Sequence, residues 1–140
     1  MSDDPFAPFR SRRARVVTLT LGAVAVLVFA AVGVGLYVAS GRPDRLLLAA
    51  FGLAVAAVCW RYASICALPD REGLVVRNLL LTRTVAWSAV ERVEYGGGTP
   101  WPTLVLDDGD TLAVMAIQRA DGARADAEAS RLAALVQALG

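Results

Sequence analysis

The sequence has no histidine and no lysine: its 14 basic residues are all arginines, set against 13 acidic ones for a formal net charge of +1. Without histidine there is no Ser-His-Asp or Cys-His relay and no imidazole general base. Without lysine there is no phosphate-loop lysine and no Schiff-base chemistry. Two cysteines, Cys59 and Cys66, are too few for a four-ligand zinc site of the Cys/His type within one chain. The near-balance of charge leaves no basic surface for phosphate backbones and argues against nucleic acid as a partner. These absences exclude most enzyme classes. No catalytic residue, cofactor, metal ion or small-molecule substrate is expected.

What the sequence has in excess is apolar residues, 56% of the chain against about 45–50% in ordinary soluble domains. Between Val16 and Trp60 the only charges are Arg42, Asp44 and Arg45. Val16–Ser40 gives 25 residues without a charge. As a helix they reach about 37 Å, enough to cross a hydrocarbon core of about 30 Å. Leu46–Trp60 is shorter, 15 residues or about 22 Å of helix, and continues through Arg61-Tyr62-Ala63-Ser64-Ile65. There Trp60 and Tyr62 are aromatics suited to an interface, and Arg61 can snorkel. Gly41–Arg45 reads as a tight polar turn.

The expected organisation is a cytoplasmic N-terminal tail over 1–15, a transmembrane helical hairpin over 16–66 (spans 16–40 and 45–65), and a cytoplasmic domain over 67–140. Arg13, Arg15, Trp60, Arg61 and Tyr62 are the expected membrane-interface anchors, and membrane lipids are the hairpin's partners. A re-entrant second segment is one alternative. A cleaved signal peptide is another, but the apolar run continues well past Ala23-Val24-Ala25 and a second run follows. Arg10, Arg12, Arg13 and Arg15 before the spans, with Arg61, Arg71 and Arg77 after them, outnumber Arg42 and Arg45 in the turn. That bias places both termini in the cytoplasm, in a multi-pass protein of the inner cell membrane. Cys59 and Cys66, seven apart on one helix face, read as small apolar packing residues. Ala23, Ala30, Ala31 and Gly33 offer a small-residue face to seat the second helix, and homo-oligomerisation through it stays open.

After Pro69 the period changes. Gly73–Leu79 is rich in apolar and β-branched residues, Thr82–Trp87 alternates, and Leu80-Leu81 joins them as a two-residue tip. Ser88-Ala89-Val90-Glu91 has the pattern of a capping box and predicts one short helical turn. Val90, Val93 and Tyr95 lead into a further strand that ends at Gly96-Gly97-Gly98. Asp107–Asp110, with its Asp-Gly pair, predicts a hairpin between Thr103–Leu106 and Thr111–Ile117. A helix is expected over 123–139, capped by Asp121, with an apolar stripe of Ala125, Ala129, Leu132, Val136 and Leu139. The fold class is therefore α+β: a two-helix transmembrane hairpin followed by a small antiparallel barrel or sheet with a C-terminal helix as its cap.

Asp70-Arg71-Glu72-Gly73-Leu74-Val75-Val76-Arg77-Asn78, then Val85-Ala86-Trp87-Ser88-Ala89-Val90-Glu91-Arg92-Val93, then the strand pair around Asp108-Gly109, resemble the bacterial PH-like domain family. The arrangement is similar to the actinobacterial membrane proteins that carry such a domain after two spans. The likeness covers about residues 65–118, and its most specific part is the Gly73–Asn78 run followed by Trp87-Ser88-x-Val90. It implies a PH-type barrel with a C-terminal helix, and no set activity or cofactor. Eukaryotic PH domains hold phosphoinositides with basic residues around their first loop. Here Pro69-Asp70-Arg71-Glu72 sets one arginine between two acids, which argues against such a site.

Two features are candidates for function. Leu79, Leu80 and Leu81, flanked by Arg77 and Arg83, form an apolar tip with cations near an anchor, a pattern that suits contact with anionic lipid; the bland reading is core leucines and solvated arginines. Trp101, between two prolines after three glycines, suits contact with a protein partner; the bland reading folds it over the barrel mouth. The acidic run at Asp107–Asp110 lacks the distant glutamate of a calcium loop and reads as a turn, and Trp87 reads as core. The function these residues suggest is a membrane-anchored scaffold for a protein partner, through a sheet edge or the Trp101 loop. Lipid sensing by the 77–83 tip is the alternative.

Overall fold

The computed structural model describes residues 4–40 and 45–140, so the expected turn at Gly41–Asp44 lies outside the described residues. The chain divides into two compact units. One is Arg12–Ser64; the other joins the segment ending at Ser11 to Ile65–Gly140.

The first unit is a pair of helices, α1 (Arg12–Ser40) and α2 (Arg45–Ala63), both long and apolar enough to cross a membrane by length and composition. Most of their large apolar side chains are exposed. The two helices meet at glycines. A Cβ placed on Gly22 would lie 3.0 Å from Cys59 Cβ, and one on Gly52 would lie 3.0 Å from Phe29 Cβ. Gly22 faces Cys59 and, seven residues on, Phe29 faces Gly52, so each glycine on one helix receives a larger side chain from the other. Phe29 and Phe51 add an edge-on ring contact at 5.1 Å. The seat is thus Gly22 and Gly52 rather than the Ala23, Ala30, Ala31 face, whose alanines are exposed. α2 stops at Ala63, where the Ser64 hydroxyl donates to the Arg61 carbonyl at 2.7 Å. Cys66 therefore lies in a strand rather than on a helix face with Cys59.

The second unit has six strands in two antiparallel sheets. β1 (Cys66–Pro69), β2 (Gly73–Arg77) and β3 (Thr82–Ala86) form one, in that order; β4 (Val90–Glu94), β5 (Thr103–Leu106) and β6 (Thr111–Ala113) form the other. Helix α3 (Ala123–Leu139) closes the unit. Alternation sets the inward face of the first sheet: Leu74, Val76 and Val85 are buried, and Leu74 stands opposite Val85 in the register. In β5, Leu104, Val105 and Leu106 are all buried, so the central strand of its sheet is covered on both faces. Ala125, Ala129, Leu132, Leu135 and Val136 make the buried stripe of α3. Leu139, expected in that stripe, is exposed, while Leu135 is inside.

Three local expectations give way to the structure. Ser88 sits inside a short 3-10 turn, Trp87–Ala89, which has no side-chain cap, and Glu91 lies in β4. The capping-box pattern loses here because Val90 onward is recruited to pair with β5. The run expected to reach Ile117 as strand ends at Ala113: the Val114 N–H still donates to the Pro102 carbonyl, but the proline has no N–H to return and the pairing stops. With β6 cut to three residues, no ladder among the described residues joins the two sheets, and the barrel is not closed. The residue before α3 is Gly122, at φ 61°, rather than Asp121.

The segment before α1 is more than a tail. Residues 12–15 belong to α1. Phe9 exchanges two hydrogen bonds with Ala67 (its N–H to the Ala67 carbonyl at 2.8 Å, its carbonyl from the Ala67 N–H at 3.1 Å) and is fully buried. Burying one phenylalanine contributes about 2–3 kcal/mol. Phe9 is therefore a core residue of a unit that otherwise begins 56 positions later, at Ile65.

Candidate interaction surface

The β2–β3 loop is four residues long, Asn78–Leu81, because Arg77 pairs with Thr82. The expected two-residue tip would have set Asn78 opposite Arg83; the register sets Arg83 opposite Val76. The Asn78 N–H still donates to the Leu81 carbonyl at 2.8 Å, in line with that register. The Asn78 side chain donates from Nδ2 to the Ala113 carbonyl at 2.7 Å and accepts the Met115 N–H at Oδ1 at 3.2 Å. One amide thereby tethers the first sheet to the end of β6.

The leucines that follow are left pointing to solvent. Leu79 is half-buried, Leu80 is 86% exposed and Leu81 70%. Outside α1 and α2, the only other exposed large apolar side chain among the described residues is Leu139, at 37%. Two adjacent, almost fully exposed leucines are a costly arrangement in water, and this unit hides nearly every other large apolar group.

The two arginines beside the tip differ. Arg77 is exposed and forms no ion pair among the described residues. Arg83 donates from Nη1 to Asp110 Oδ2 at 2.6 Å, with Asp108 Oδ2 at 3.9 Å. That hydrogen bond raises the Arg83 pKa, and with the Thr111 N–H it holds the Asp110 carboxyl below the usual aspartate value. Asp108 accepts the Asp110 N–H at 2.9 Å. The carboxylates of the β5–β6 turn are thus spent on the turn itself and on Arg83, and the charge beside the leucine tip is largely compensated.

Trp101 is half-buried. The loop around it is pinned on both sides: the Pro100 carbonyl accepts the Arg119 N–H at 2.9 Å and the Pro102 carbonyl accepts the Val114 N–H at 2.8 Å. Gly96, Gly97 and Gly98 all have positive φ, and the first two line an open depression of about 470 Å³ with Val93, Glu94, Tyr95 and Thr99. The Arg119 guanidinium lies 5.3 Å from the centre of the Tyr95 ring. At the helical pair, Arg13 and Arg15 are exposed near the start of α1; near the end of α2, Trp60 is exposed and Arg61 and Tyr62 are half-buried. The first loop is a tight turn in which Asp70 Oδ1 accepts the Glu72 and Gly73 N–H groups, both at 2.8 Å. Its one basic residue, Arg71, stays exposed.

Sequence reasoning missed Asn78 and the pair Phe9 and Arg131. The latter left a faint signal: Phe6 and Phe9 are two of the four phenylalanines and stand in an otherwise polar stretch.

Two small antiparallel sheets with a C-terminal helix packed on them define an α+β domain of the PH-like kind. Residues 70–134 match the family described as bacterial PH domain, and the arrangement of this domain is similar to that family's. Its curated relatives include an uncharacterized protein of Mycobacterium bovis and uncharacterized proteins of two strains of Mycobacterium tuberculosis. Each is 39% identical over 82 residues, 59% of this chain and 53% of the relative. The chain thus spans about half the length of the curated relatives it matches. No solved structure matches it.

Proposed function

We propose that this protein is a membrane-anchored PH-like module that docks a protein partner at the cytoplasmic face of the inner membrane through its Leu80-Leu81 tip. The observation that carries the reading is the exposure of those two leucines, 86% and 70%, on a loop whose base is fixed by Asn78. An exposed apolar patch on a domain that buries its other large apolar groups marks an interaction surface. The family supports an interaction module in general, and the exposure of the tip supports that loop as its contact. Compensation of Arg83 by Asp110 and Asp108 leaves Arg77 as the one unpaired cation beside the tip among the described residues, which favours a protein surface over an anionic bilayer. Trp101 is half-buried and is the lesser candidate.

The membrane setting rests on the two apolar helices and on the arginine bias at their outer ends. It gains support from the Phe9–Ala67 pair, which joins the residues just before α1 to those just after α2 and so requires both ends of the hairpin on one side. The anchor also raises the effective concentration of any membrane-bound partner, so modest affinity at the tip suffices.

The test is site-specific photo-crosslinking from position 80 in the full-length chain in native membranes. A discrete protein adduct that disappears with Leu81→Ser supports the reading. Adducts to lipid alone overturn it and assign the tip to the lipid-sensing alternative, with Arg77 as its cation.

A further inference from the structure

Phe9 does more than fill space. Its backbone makes a two-bond antiparallel bridge on the β1 edge away from β2, as an added strand would. On the other side of its ring stands Arg131 of α3, with the guanidinium carbon 3.9 Å from the ring centre. The same guanidinium donates to the carbonyls of Ala7 (2.8 Å), Pro5 (3.2 Å) and Asp4 (3.5 Å), while Glu128 holds it from behind at 2.6 Å. These contacts are those of a peptide in a groove: one aromatic in a slot, a backbone bridge to a strand, and a cation gathering upstream carbonyls. None of the upstream contacts reads a side chain of the segment.

We propose that the slot between β1 and α3 is a docking site for an extended peptide bearing one aromatic side chain, kept closed in this protein by its own residues 4–11. Within the segment Phe9 and Ser11 are buried, Asp4, Pro5, Pro8 and Arg10 are exposed and Phe6 and Ala7 half-buried, and the bridge is a single residue pair. Withdrawal of Phe9 leaves both sheets and the α3 stripe intact, so release is a local opening rather than unfolding. It uncovers the N–H and C=O of Ala67, a slot of aromatic size, and the two N–H donors of Arg131 Nη1. A partner segment needs an aromatic residue at the bridge position and a free carbonyl two residues before it. This site is separate from the Leu80-Leu81 tip and does not depend on it.

The test uses the full-length chain in detergent micelles. In the wild type, the Ala67 amide is expected to exchange with deuterium at least tenfold faster than the Leu104 amide in central strand β5. A labelled synthetic peptide, Asp-Pro-Phe-Ala-Pro-Phe-Arg-Ser, is expected to bind the Phe9→Ala chain at least tenfold more tightly than the wild type. The gain should vanish with Arg131→Gln in the same background and with alanine at the peptide's second phenylalanine. Exchange of Ala67 only together with Leu104 overturns the proposal, because the slot then never opens alone. So does a Phe9→Ala chain with unchanged Leu104 exchange that binds the peptide no better. Should Phe9→Ala fail to fold, the wild-type exchange comparison decides by itself.

Discussion

Arg83 and Asp110 show how one contact redirects the meaning of a residue. The carboxyl of Asp110 is held below the usual aspartate value first by the Arg83 hydrogen bond and then by the Thr111 N–H. A carboxyl with a depressed folded value adds stability above its unfolded value, and that stability is lost as the pH falls through the depressed one. Both partners are exposed, so the effect on stability is small. The titration itself is the sharper readout. Carbon-detected NMR should place the Asp110 midpoint below the usual aspartate value, and Arg83→Gln should move it up toward that value. No movement would show that the pair does not form in solution. From sequence, Arg83 reads as a free cation at a tip, because the acids that claim it lie 25 and 27 residues away. Trp87 was legible: it closes the alternating run Thr82–Trp87 and reads as core, and in the 3-10 turn it is almost wholly buried, with its indole N–H donating to the Asp70 carbonyl at 2.8 Å. Phe9 was not, since a lone aromatic among prolines and arginines carries no period.

At the level of elements, local chemistry was readable wherever short-range contacts decide. Asp108-Gly109 makes the β5–β6 turn with Gly109 at φ 81°, and α3 spans the residues its apolar period marks. Strand β1 was hidden because it follows directly on α2 and ends in proline, so its four residues read as the tail of the span. The capping box misled because its serine-to-glutamate spacing is satisfied while the pairing of β4 with β5 overrides it. Gly73 carries the clearest element-scale prediction. It pairs with Ala86, and a Cβ there would meet the Val85 carbonyl oxygen far inside contact distance. Gly73→Ala must therefore push β2 and β3 apart, costing on the order of 2–4 kcal/mol. Thermal unfolding of the full chain followed by tryptophan circular dichroism should show a large drop in midpoint. An unchanged midpoint would mean that the two strands are not in this register.

For the whole molecule, the prediction concerns sidedness. In a background of Cys59→Ala and Cys66→Ala, single cysteines at Ser2 and Gly140 should react with an impermeant maleimide from the same side of sealed membrane vesicles. One at Arg42 should react only from the other side. Labelling of Ser2→Cys and Gly140→Cys from opposite sides would break the reading of a two-span hairpin, and with it the bridge between Phe9 and Ala67.

That bridge also has a consequence for biosynthesis. The first strand-like piece of the domain leaves the ribosome before either apolar helix, and its partner Ala67 only after both. A chain whose second segment failed to cross would hold Phe9 and Ala67 on opposite sides of the bilayer, with the slot beside Arg131 empty and the β1 edge bare. On the proposed two-span topology, completion of the domain would report that insertion has gone to its end, and a misinserted chain would carry an uncovered strand edge.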